Sequence, residues 1–149
     1  MQKLELKHLS AYLPYQLKCI YKGDKNVNIL GLSYNEGEKL LIKIGTHEWT
    51  NLFNIKPIIR PLSDLTKDIE VNGEKFIPIE WFEIGDDDNV AVDYGNGNVK
   101  LIGLLKDMSK YNFIDLAYIN YGVVEKLLEW HFDIFGLIKQ NLAIDINTL

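Results

Sequence analysis

Several residue types are scarce in this chain, and each scarcity excludes something. Cysteine occurs once, as Cys19, so neither an internal disulfide framework nor a cysteine-built zinc ribbon is available. Arginine also occurs once, as Arg60, against fifteen lysines. Lysine offers a point charge and not the planar fork that grips guanine or phosphate in two places, so sequence-specific DNA reading is disfavoured. The three histidines, His8, His47 and His131, form no metal-spaced pair, and no His-Glu-x-x-His signature is present. No apolar run reaches the roughly 18–20 residues of a membrane span. The opening Met1-Gln2-Lys3-Leu4-Glu5-Leu6-Lys7-His8 alternates charge with leucine and lacks the apolar core of a signal peptide. A reducing cytoplasmic setting without membrane insertion is the expectation.

The chain has 149 residues, 47% of them hydrophobic and 11% aromatic, enough for a substantial core. Its net charge of −5 is unevenly spread: residues 1–60 carry nine basic and five acidic side chains, and residues 61–149 carry seven basic and sixteen acidic ones. A basic β-rich portion, 1–60, thus joins an acidic mixed portion, 61–149. With no repeat, low-complexity tract or linker between them, a single α+β domain over 1–149 is expected. The asymmetry suits either a nucleic-acid footprint or complementary faces that attract within or between chains.

Hydrophobic spacing predicts a helical lead-in over Leu4 to Leu13, closed by Pro14. An antiparallel meander or small barrel of three to four strands follows: Gln16 to Lys22, Ile29 to Tyr34, Lys39 to Ile44, and an edge strand over Ile55 to Arg60 interrupted by Pro57. The first turn is expected over Gly23 to Asn26. Ser63 reads as the N-cap of a short helix ending near Ile69, before an Asn72-Gly73 turn. Phe76 to Ile84 fits strand or helix. A later hairpin is expected from Asn89–Tyr94 to Val99–Leu105 across Asn96-Gly97. A long amphipathic C-terminal helix is expected from Asn120 to Phe135, with His131 on its apolar arc, Asp133 on its polar side and Gly136 as the residue after its end. Leu142, Ile144 and Ile146 alternate as a final strand.

Few residues combine into a chemical site. Asp86, Asp87, Asp88 and Asp93 miss the EF-hand pattern, since Val90 and Ala91 fall where an oxygen donor and a glycine belong. Glu129, His131 and Asp133 are spaced by two, which on a helix sends them about 200° apart. His131 therefore reads as a hydrogen-bonded core histidine. Asp64 and Asp68, four apart, share a helix face as paired carboxylates or as a first-turn charge and a solvated one. Cys19, between Leu17 and Tyr21 on one strand face, reads as a buried thiol. No catalytic residue, metal ligand or cofactor is assigned. One constellation remains: Lys18, Lys22, Lys39 and Lys43, with nearby Lys25, project opposite the apolar sets Leu17/Cys19/Tyr21 and Leu40/Ile42/Ile44 and form a basic sheet face. It serves nucleic acid if stacking aromatics share it, and otherwise is a solvated face that blocks edge pairing.

The opening Leu6-Lys7-His8-Leu9 through Leu13-Pro14-Tyr15, the segment Arg60-Pro61-Leu62-Ser63-Asp64-Leu65-Thr66-Lys67, and the tract Glu125 to Ile138 with Leu142 to Asn147 carry a resemblance. Together they resemble a family of uncharacterised proteins encoded by phages and prophages of Bacteroidetes, over both ends and about half the chain. The resemblance implies a phage-linked cytoplasmic setting in a bacterial host and no catalytic residue. The expected function is a non-enzymatic interaction or assembly protein with a protein partner. Weak, non-sequence-specific nucleic-acid binding through the lysine face is the alternative, and an enzyme with an unrecognised site the second alternative. Homo-oligomers through the complementary basic and acidic faces are a further expectation.

Overall fold

The computed structural model describes residues 3–34, 40–45, 48–84, 97–112 and 119–149. The fold is α+β, with four α-helices and a mostly antiparallel six-strand sheet. Two compact units divide the chain: Met1–Arg60 with Leu127–Leu149, and Pro61–Lys126 between them in sequence. From the sequence, the first unit carries ten basic and eight acidic residues, and the second six basic and thirteen acidic.

In the first unit, helix α1 (Leu6–Ser10) is closed by a capping box in which the Glu5 N–H donates to His8 Nδ1. A 3-10 turn, Leu13–Tyr15, holds Pro14 in its first positions. The strands are β1 (Lys18–Tyr21), β2 (Asp24–Tyr34), β3 (Leu40–Ile44), β4 (Trp49–Asn51), β5 (Ile55–Ile59) and β8 (Ile144–Asp145), in the order β4-β3-β2-β1-β5-β8. Among the described strand pairs of this sheet, only β5–β8 is parallel. Laid flat, β4 and β5 would stand four strand spacings apart, about 19 Å. Only the 3-10 turn Leu52–Asn54 joins them, and the four backbone steps from Asn51 to Ile55 reach at most about 14 Å. The sheet therefore has to curl, with bulges in β2 opposite β1 and β3 supplying the bend. Inside the curl lie Leu17, Cys19, Tyr21, Val27, Ile29, Ile42, Ile44, Ile55 and Ile59, of which Leu17, Cys19, Tyr21, Ile42 and Ile44 are the ones that the strand alternation predicts.

Several local expectations need correction. The first hairpin turns at Lys22-Gly23, both at positive φ (49° and 83°), with Tyr21 opposite Asp24. Asp24 to Asn26 already belong to β2. β5 is not an edge strand, because β1 pairs along one side and β8 joins the other at Ile58 and Ile59. Pro57 precedes that junction, where the second side of β5 is still open.

The long C-terminal helix is replaced by α4, Tyr121–Glu129, only nine residues. His131 adopts φ +61°, its N–H donates to the Leu128 carbonyl and the Phe132 N–H to the Leu127 carbonyl. This is a Schellman closure with histidine where glycine is usual. The chain then leaves the helix to bridge Arg60: the Arg60 N–H donates to the His131 carbonyl (2.7 Å), and the Asp133 N–H to the Arg60 carbonyl (2.8 Å). Asp133 is not solvated but buried, accepting from the backbone N–H groups of Leu137 and Ile138 at 2.8 and 2.9 Å. Those donors hold a compact turn where the helix was expected to continue.

In the second unit, the hairpin of β6 (Ile69–Val71) and β7 (Glu74–Phe76) turns at Asn72-Gly73, at φ +52° and +84°. Leu62–Thr66 is a 3-10 helix with Pro61 as its cap, so Ser63 is not the cap. Helix α2 (Pro78–Ile84) resolves the ambiguous stretch. Helix α3 (Gly97–Tyr111) overturns the later hairpin at Val99–Leu105. Leu105 and Met108, three apart, are buried while Lys106, Asp107 and Lys110 are exposed, which is helical spacing. The other arm, 89–94, lies outside the described residues.

Candidate functional site

Four of the five lysines of the expected basic face, Lys18, Lys22, Lys25 and Lys43, lie among the described residues, on β1, the first hairpin turn, β2 and β3. Lys18 is exposed on β1, and its Nζ donates to Asn26 Oδ1 on β2 (2.6 Å). Lys22 lies in the hairpin turn, ion-paired with Glu48 at 3.3 Å, its ammonium 4.9 Å from the Tyr21 ring. Hydrogen bonds to Tyr21 and Glu48 hold its pKa above the ordinary lysine value. Lys25 is exposed on the bulged start of β2. Lys39 lies outside the described residues, as do His47, Asp86, Asp87, Asp88 and Asp93. Lys43 is half-buried on β3 opposite Trp49 of β4, with its ammonium 5.9 Å from the indole. That half-exposed tryptophan (47%) is an aromatic beside the lysine face that a single-strand reading misses, because it stands on the neighbouring strand.

The remaining sequence candidates are structural. His131 is half-buried with Nε2 2.6 Å from the Tyr15 carbonyl, and burial lowers its pKa, so the neutral ring donates that bond. Tyr12 is fully buried and donates to the Phe132 carbonyl at 2.6 Å. Burial pushes the Asp133 carboxyl up despite its backbone donors, and pushes the buried Cys19 thiol up to about 11. Asp64 is buried and ion-paired with Lys67 (2.9 Å), while Asp68 is exposed beyond the 3-10 helix. The two aspartates therefore do not share a helix face. Among the described residues, no three histidine, cysteine or carboxylate side chains gather to hold a metal ion. No helix among them is long and apolar enough to cross a membrane.

Among the described residues, a groove lies where β4 turns into β5. Asn51 Oδ1 accepts the Phe53 N–H (3.1 Å), capping the 3-10 turn, and Asn54 Nδ2 donates to buried Thr50 Oγ1 (3.0 Å). The turn so fixed directs Ile55 into the core and leaves Phe53 79% exposed. Leu4, Leu52, Ile55 and Leu142 line an open groove of about 230 Å³, flanked by Phe53. Its two cations are Lys3, whose ammonium sits 5.9 Å from the Phe53 ring, and Lys56, whose Nζ donates to Asn141 Oδ1 (3.0 Å). Among the described residues, no carboxylate, imidazole, thiol or hydroxyl lines the groove, which offers apolar contact and the positive charge of two lysines.

Sequence reasoning passed over this site because its residues come from three separated stretches. The local signal was Asn51-Leu52-Phe53-Asn54, an asparagine-capped turn carrying two large apolar side chains between short strands. Searches against protein-family models, curated proteins and solved structures give no match to this chain.

Proposed function

We propose that this chain is a non-enzymatic interaction or assembly module encoded by a phage or prophage and working in the cytoplasm of its bacterial host. The observation that carries the reading is the β4–β5 corner. There a capped turn on the curled sheet presents an exposed phenylalanine and an apolar, lysine-flanked groove. Exposed apolar contacts next to fixed charge mark interaction surfaces. The phage setting rests on the resemblance of both chain ends. The test is affinity capture of the full chain from host cells after prophage induction, with and without nuclease. A protein partner that survives nuclease and is lost with Phe53→Glu is the expected result. Capture that disappears on nuclease treatment refutes it.

A second reading has its own observation, the Lys43–Trp49 pair. A tryptophan face beside a lysine, with Lys18 also on the sheet, is the composition of a single-strand stacking platform. Against it stands the pairing of Lys22 with Glu48. The expected outcome is no shift of a single-stranded oligonucleotide at about 50 mM salt. A shift with a salt slope near −0.7 per phosphate, abolished by Trp49→Ala, installs the nucleic-acid reading instead.

A further inference from the structure

The groove between Leu4, Leu52, Ile55 and Leu142 takes an occupant of definable chemistry. At about 230 Å³ it is below the ~300–1,000 Å³ of small-molecule sites and suits one large side chain and its neighbours. Its apolar lining calls for an aromatic or aliphatic knob. The ammonium groups of Lys3 and Lys56, with no carboxylate in the lining, call for a negative charge beside that knob. Among the described residues, Lys56 is bonded only to a neutral amide, Asn141, which does not cancel its charge.

The chain's own second unit carries such a knob. It holds thirteen acidic against six basic residues. Among its described residues two large side chains are strongly exposed, Tyr111 (67%) and Tyr121 (78%). Tyr111 has the Lys110 ammonium 5.2 Å from its ring, which would bring like charge to Lys3 and Lys56. Tyr121 opens α4, and exposed Glu125 follows one turn later on the same helix face. From this charge complementarity we infer that the groove of one copy receives Tyr121 and Glu125 of a second copy. The inference rests on the proposed assembly role.

Groove and knob are different patches, so the contact is heterologous. Each copy offers one of each, and association continues into rings or filaments instead of stopping at a symmetric dimer. A contact built on one groove is well short of the ~1,200–2,000 Å² of stable interfaces, so the association is weak and grows with concentration. Charge attraction at its rim makes it sensitive to salt.

Sedimentation velocity of the full chain tests this. At about 50 mM salt, the mean mass of the wild type should rise with concentration through the high micromolar range, and the rise should vanish near 1 M salt. A groove variant, Lys3→Glu with Lys56→Glu, and a knob variant, Tyr121→Ser with Glu125→Lys, should each stay monomeric with unchanged circular dichroism. Mixed, the groove variant still offers an intact knob and the knob variant an intact groove. The mixture should therefore form a one-to-one dimer that grows no further. A wild type that stays monomeric at low salt overturns the inference without any variant and leaves host-partner capture as a separate question. Self-association unaffected by either variant also overturns it, as does a mixture that remains monomeric while each variant is folded.

Discussion

At the residue scale, His131 shows how one side chain can end a helix and fasten a distant loop. It holds the left-handed closure of α4 while its ring donates to the Tyr15 carbonyl, 116 residues away in sequence. His131→Ala should cost roughly 1–3 kcal/mol in urea unfolding, combining a lost buried bond with the strain of alanine at positive φ. An unfolding free energy equal to wild type would refute this role. Burial holds the pKa of His131, and of His8, below the ordinary histidine value. The folded state thus disfavours the protonated rings, and their contribution to stability is intact above about pH 6.5 and declines as pH falls below it. His131→Asn tolerates the backbone but does not titrate, so it should flatten part of the stability loss as pH falls below about 6.5. A pH profile parallel to wild type would count against that assignment. The hydrogen-bonded character of His131 was legible from its apolar neighbours. Its left-handed backbone was not, because nothing in the 3.6-residue spacing distinguishes a histidine inside a helix from one that closes it.

At the element scale, the two tight hairpins make a natural comparison. Asn72-Gly73 uses the preferred pair for a turn with two positive φ angles, and Lys22-Gly23 uses lysine at the first of them. Lys22→Asn should raise stability by about 0.5–1 kcal/mol, less what the exposed pair with Glu48 contributes. Gly23→Ala, at φ +83°, should lower it by roughly 1–2 kcal/mol. Urea midpoints of the two variants check both signs, and a stabilising Gly23→Ala would refute the turn assignment. Strand alternation made the curled sheet's inner face readable, since Leu17, Cys19, Tyr21, Ile42 and Ile44 are all buried. The hairpin expected at Asn96-Gly97 shows the limit of a two-residue signal. There the spacing of Leu105 and Met108 over a fifteen-residue stretch outweighs it. The groove was invisible at this scale, because Leu4, Phe53 and Leu142 become neighbours only when the first unit closes.

At the scale of the whole molecule, the first unit is discontinuous: its sheet is completed by β8 and its core by Leu137 and Ala143, all after residue 126. Truncation after Lys126 should therefore abolish cooperative unfolding of the first unit, removing the acceptor for Tyr12 and the parallel partner of β5. A truncated chain with a sharp thermal transition and dispersed β-sheet amide resonances would contradict this. The basic and acidic portions were readable by counting charges, while the first unit takes in the last part of the acidic one, Leu127–Leu149. The final strand was legible in the alternation of Leu142, Ile144 and Ile146, but the return of the last 23 residues to the first unit was not, because alternation does not name the strand's partner. This return also has a cost in time. On a ribosome adding about 5–20 residues per second, the 66 residues of the second unit take roughly 3–13 s to emerge. Throughout that interval the far side of β5 has no partner of its own, so the nascent chain carries an open strand edge that a chaperone or a neighbouring nascent chain can reach first.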